Sequence, residues 1–251
     1  DNTVRNVHAS GDSVAMFNHG GSGIMANNTV SEASDAISSN YSKGIQFLNN
    51  TVRDSSSGVH TDNAGANGGV ADVIRGNRVT HCMPNGYGVW TFVSYIAPLV
   101  DNNTIIDCSV GLAAFGQIGT GTTHFTNNTV QGTNKPGSYG AYVSTEDIGF
   151  GTYDVSVEFT GNTLKNNETG FHLEQTAGRV ASATLHSNNL VGNSMAGLST
   201  SAGSSQVNAT LNYWGSHTGP TNVANPSGRG DAVVGNVTFT PWSTKHIGPG
   251  N

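Results

Sequence analysis

The chain has 251 residues, only 10% of them charged, with a formal net charge of −6 and 34 glycines. Its ten Lys and Arg form no basic run, so a phosphate-tracking surface is excluded and nucleic acid is not an expected partner. No stretch approaches the length of a membrane span, and two cysteines exclude a disulfide-dense scaffold.

The sequence opens at "DNTVRNV" without an initiator Met or a signal-like apolar segment, as a mature or trimmed chain would. It starts inside a repeat. Asn2, Asn28, Asn50, Asn77, Asn103, Asn128, Asn162 and Asn188 are each followed two positions on by an aliphatic residue, at separations of 26, 22, 27, 26, 25, 34 and 26. Such a period signals a solenoid. An apolar residue also stands three positions before each Asn from Asn28 on (Met25, Phe47, Ile74, Val100, Phe125, Phe159, Leu185).

Between these sites run alternating stretches that start on a small residue: "SVAMF", "GVHTD", "GVWTF", "GLAAF", "GFHLE" and "GLSTS". Alternation of period two means strand, and frequent Gly and β-branched residues oppose helix. Stacked coils of short parallel strands follow, with neighbouring coils roughly 4.8 Å apart. An inward Asn at one corner of each coil can then pass its amide hydrogen bond to the next coil, forming a ladder.

The Asn preceding the ladder residue in Asn27, Asn49, Asn102 and Asn127 begins an Asn-x-Thr sequon and is expected to face out, where a glycan can attach. Eight sequons occur in all, close to chance frequency. Cys82 and Cys108 each follow a repeat's aliphatic residue by three positions, so they should stack in adjacent coils, at a separation that a disulfide accepts.

The alternation predicts two outward columns. One reads Ala15, Ser38, His60, Trp90, Ala113, Tyr142, His172, Ser199; the other reads Phe17, Asn40, Asp62, Phe92, Phe115, Ser144, Glu174, Ser201. Catalytic candidates on them are His60 with Asp62 and His172 with Glu174, each a His beside a carboxylate on one strand. The two pairs lie four coils apart, roughly 19 Å, so they cannot share one centre. Asp62 has no evident outward carboxylate partner in adjacent coils, and neither column carries the Lys or Arg that a uronate would need. No metal motif is present and no cofactor is expected; calcium on Asp62, Asn63 and Asn40 has no Asp-rich loop to support it.

Trp90, Phe92, Phe115 and Tyr142 are the binding candidates, an exposed aromatic patch over three consecutive coils. The insertion "STEDIGFGTYD" at 144–154 is long enough to fold over that patch instead.

The tail "LNYWGSHTGPTNVANPSGRGDAVVGNVTFTPW" (211–242) closes the repeat. The repeat resembles the right-handed parallel β-helix proteins of the pectate-lyase-like superfamily. The tail, through Trp214, Gly215, Gly219, Pro220, Gly230, Asp231, Pro241 and Trp242, is similar to that of secreted β-helix proteins of the NosD-type periplasmic and archaeal surface group. This resemblance implies an extracytoplasmic location.

The expected protein is thus all-β: one right-handed parallel β-helix domain over 1–251, with coils in 1–210, a C-terminal cap in 211–242 whose aromatics cover the open core, and a tail in 243–251. No comparable N-terminal cap is visible. Its expected role is a secreted or cell-surface structural, assembly or carbohydrate-binding module, with a polysaccharide or further copies of itself as partner. The alternative is a polysaccharide lyase, epimerase or hydrolase centred on His60 and Asp62.

Overall fold

The computed structural model describes residues 1–11 and 13–248. Eight successive turns each contribute one strand to each of three parallel sheets, and the C-terminal segment adds further strands to two of them, giving sheets of eight, ten and nine strands and a solenoid of about nine turns. No helix occurs among the described residues.

The asparagines set the turn spacing. Each ladder Nδ2 donates to the Oδ1 of the next Asn at 2.9–3.0 Å, from Asn2 through Asn188. The backbone N–H of the same Asn donates to that same oxygen. The second Nδ2 hydrogen goes to the carbonyl of the apolar residue of the preceding turn, for instance from Asn103 to Ile74 and from Asn128 to Val100, at 2.9 Å each. A carboxamide supplies two donors and an oxygen with two lone pairs, and each ladder Asn from Asn50 to Asn188 uses all of them. Asn212 extends the series by one rung beyond the eight expected.

The residue before the ladder Asn is left-handed: Asn27 has φ 58°, Asn49 54°, Asn102 53° and Asn127 55°, with glycines at the equivalent positions 76 and 161. Asn and Gly tolerate this conformation at low cost, which explains the doubled Asn. All four of these asparagines are exposed.

Inside, side chains stack in files. Phe47, Ile74, Val100, Phe125, Phe159 and Leu185 are in register and fully buried. The Phe125 and Phe159 rings stack at 4.4 Å. Cys82 and Cys108 lie in adjacent turns with Cα atoms 4.6 Å apart and are joined as a disulfide.

At the C-terminal end Trp214 and Phe239 are buried in the core, and Trp242 packs against it. Asp231 closes a second, shorter ladder, accepting from the backbone and the side chain of Asn193 at 2.8 Å each. Of the tail expected at 243–251, residues 249–251 lie outside the described residues.

Candidate functional site

The ten-stranded sheet carries the predicted columns, in register from the second turn onward. Ser38, His60, Trp90, Ala113, Tyr142, His172 and Ser199 form one file, and Asn40, Asp62, Phe92, Phe115, Ser144 and Glu174 the other. The first turn departs from expectation by two positions, with Phe17 pairing with Ser38 and His19 with Asn40. The cause is Ala15, which lies between Val14 and Met16 as Ala36 lies between Asp35 and Ile37, so it fills the inward small position and not an outward one.

That small position creates a third outward file that the alternation hides. A Cβ on Gly58, Gly88, Gly111, Gly140 or Gly170 would meet the next glycine's carbonyl oxygen at 2.2–2.7 Å, so this file closes tightly on the neighbouring turn. Two successive residues, the small one and the next, then face inward, and the residue before them turns to the outer side of the sheet, where Val110 and Thr169 are nonetheless buried. The hidden file reads Asp35, Ser57, Tyr87, Val110, Tyr139 and Thr169. The residue preceding each glycine was the available signal.

Asp35 changes the reading of His60. The imidazole is held between two carboxylates, with Nδ1 2.9 Å from Asp62 Oδ1 and Nε2 2.9 Å from Asp35 Oδ2. Only 5% of His60 is exposed. Burial opposes the charge, but Asp62 and Asp35 outweigh it and push the imidazole from its ordinary 6.5 up to about 10. His60 is therefore an imidazolium at neutral pH with both N–H groups engaged. It also stacks on Trp90 at 4.0 Å and 15°, a cation–π contact, and the Trp90 indole donates to Ser57 Oγ at 2.9 Å.

The patch expected to be exposed is covered in part. Phe92 is 7% and Phe115 4% exposed, while Trp90 and Tyr142 are half-buried. The covering element is the 144–154 insertion. Asp147 Oδ1 accepts from the backbone of Gly149 and Gly151 at 2.7 and 2.9 Å, which curls the loop, and Phe150 meets Phe92 edge-on at 5.4 Å. The glycines have φ 110° and 95°, conformations that suit Gly alone.

What remains open is a row of clefts along the sheet. One of about 320 Å³ lies between Phe17, Asp35, Ser38, His60 and Trp90. A second, about 380 Å³, lies on the other side of Trp90 and is bounded by Asp62, Asn63, Phe150 and Tyr153. A third, about 310 Å³, is lined by Tyr87, Tyr139, Tyr142 and Glu146, and Ile148 forms a wall of the second and the third. No Lys or Arg lines any of them. Ser38 Oγ and Asp35 Oδ1 are buried in the first cleft without a hydrogen-bond partner.

His172 and Glu174 also come together, Nε2 to Oε2 at 3.2 Å, with His172 Nδ1 2.7 Å from Ser199 Oγ. For the calcium set, Asn63 donates to Asn40 at 2.9 Å and Asp62 is engaged by His60, so these groups satisfy one another. Among the described residues no group of three or more His, Cys, Asp or Glu is placed to hold a metal ion.

A family model described as "Periplasmic copper-binding protein (NosD)" matches residues 1–230. No curated protein and no solved structure matches the chain.

Proposed function

The chain belongs to the NosD family of periplasmic β-helix proteins, and on that premise we propose that its ten-stranded sheet is a binding surface for an uncharged polysaccharide outside the cytoplasm. The observation that carries this reading is the pair of clefts flanking Trp90, which combine aromatic walls with amide, hydroxyl and carboxylate groups and contain no Lys or Arg. An aromatic ring offers a sugar face its apolar area, and the amide and carboxylate groups lining the clefts, Asn63 and Asp62 among them, offer hydrogen bonds to hydroxyls. A uronate or phosphate would enter without a counter-ion, because no Lys or Arg lines the clefts and the His60 imidazolium is already balanced by two carboxylates.

Catalysis at His60 and Asp62 is the weaker reading. An imidazolium whose two N–H groups both donate to carboxylates has no lone pair to take a proton, and at about 10 it is a poor acid near neutrality. Assembly through the aromatic face is also weaker, because Phe92 and Phe115 are covered.

Copper, named in the family's description, finds no fitting donor set here. Both cysteines are spent in the disulfide, both His60 nitrogens are bound to carboxylates, and no group of three or more His, Cys, Asp or Glu is placed to hold a metal among the described residues.

The test is affinity electrophoresis through gels cast with neutral glucans, mannans or galactans, or with polygalacturonate. Retardation by a neutral polymer, lost in Trp90→Ala, is the expected result. Retardation by polygalacturonate alone, or release of new reducing ends, would replace the proposal.

A further inference from the structure

The third cleft differs from the two beside Trp90. It lies beyond Ile148, and its walls are the rings of Tyr87, Phe115, Tyr139 and Tyr142. Tyr139 and Tyr142 are 5.1 Å apart at 59°, Phe115 and Tyr142 5.9 Å apart at 45°, and Tyr87 and Phe115 5.9 Å apart at 70°. The four rings line one space, with neighbouring rings tilted to one another.

One carboxylate stands in that space. Glu146 Oε2 accepts from Tyr142 Oη at 2.6 Å and from Ser144 Oγ at 3.1 Å, which fixes it at the rim. Burial and the carboxylates of Glu168, Glu174 and Glu146 hold the Tyr139 phenol above its ordinary range, and burial with Glu146 does the same for Tyr87. Burial opposes any charge there, whereas the carboxylates' share of these shifts favours a cation at the same place.

We propose that this cleft binds an organic ammonium group, seated against the tyrosine rings with Glu146 as counter-ion. Aromatic faces attract cations through their quadrupole, and they select weakly hydrated ones, since rings cannot replace the oxygen ligands that a hydrated metal ion would surrender. The wall supplies one carboxylate where a metal would need several ligands. A volume of about 310 Å³ lies at the small end of ligand pockets and suits a trimethylammonium-sized group with its attachment. The ammonium can arrive on a free small molecule or as the amine of an amino-sugar polymer.

The test is saturation-transfer NMR on the folded protein with tetramethylammonium, with choline, with the uncharged choline isostere 3,3-dimethylbutan-1-ol, and with chitosan oligosaccharides. The cations, free or carried on the oligosaccharide, are expected to bind at least about tenfold more tightly than the isostere. Glu146→Gln should weaken them about five- to tenfold. Tyr139→Ala should weaken them at least as much. Glu146 is exposed, so the first variant is expected to keep the native melting curve. Binding confined to chitosan and lost in Glu146→Gln assigns the ammonium to a glycan. Equal binding of the isostere, or cation binding unaffected by Glu146→Gln, overturns the proposal, as does no binding by any of them. Glu146→Gln separates this cleft from the neutral-polysaccharide reading, because Glu146 lines neither cleft beside Trp90: it should weaken tetramethylammonium binding and leave retardation by the neutral polymer intact.

Discussion

His60 Nε2 lies 2.9 Å from Asp35 Oδ2, although the two residues are 25 positions apart in the chain. One turn of solenoid closes that gap, and with Asp62 on the opposite nitrogen it makes a buried charged unit of one imidazolium and two carboxylates. A unit of this kind is strongly destabilised by loss of one member, because the remaining charges stay buried and unbalanced.

The first prediction concerns pH. The folded-state value of His60 is raised, from 6.5 to about 10, so the native protein keeps a proton that the unfolded chain has released between those limits. Its stabilising contribution is complete below about 6.5 and is lost as pH rises toward 10. Denaturant midpoints should therefore fall across pH 7 to 10, and His60→Gln should flatten that slope while costing about 3–5 kcal/mol at pH 7. A wild-type midpoint that is level over this range contradicts the ion triad.

The second concerns the doubled asparagines. Asn103→Ala breaks a buried ladder rung and should cost about 1–3 kcal/mol or more, since both neighbours lose partners. Its neighbour Asn102 is exposed and left-handed, so Asn102→Gly should be neutral within about 0.5 kcal/mol, whereas Asn102→Val should cost about 1–2 kcal/mol. Thermal melts of the three variants check the order.

The third concerns the disulfide. The bond between Cys82 and Cys108 closes a loop of 26 residues and should contribute about 3 kcal/mol. Alkylation of the denatured, unreduced protein should label no thiol, and Cys82→Ser with Cys108→Ser should lower the denaturant midpoint accordingly. Quantitative labelling before reduction would contradict it.

The fold was legible because one residue type does one job at every turn. Asn is the side chain whose amide fits the ladder, so its spacing gave both the turn length and, through the flanking aliphatics, the inward files. The outward face was legible where alternation is strict, as from His60 to Asp62. It failed at Asp35, Tyr87 and Tyr139, because two consecutive inward residues break the period-two rule just after them. It also failed at the first turn, where Ala15 stands in the small inward position that glycine marks only from the third turn onward. The covering of Phe92 by Phe150 depends on where a loop lies, and the sequence of a loop does not fix that.

The fourth prediction follows from that covering. Phe150 is 71% exposed yet lies against Phe92, so Phe150→Ala should leave the melting temperature nearly unchanged and alter affinity for the polysaccharide. Unchanged affinity would remove the loop from the binding surface.

The most direct test of the central claim uses the three tryptophans as separate reporters. Trp214 is buried in the core and Trp242 lies in the C-terminal segment, whereas Trp90 stands between the two clefts. In a two-dimensional NMR titration with the neutral oligosaccharide identified by electrophoresis, the Trp90 indole N–H signal should shift saturably while those of Trp214 and Trp242 stay in place. A response at Trp242 with none at Trp90, or no response at any of the three, would contradict the account.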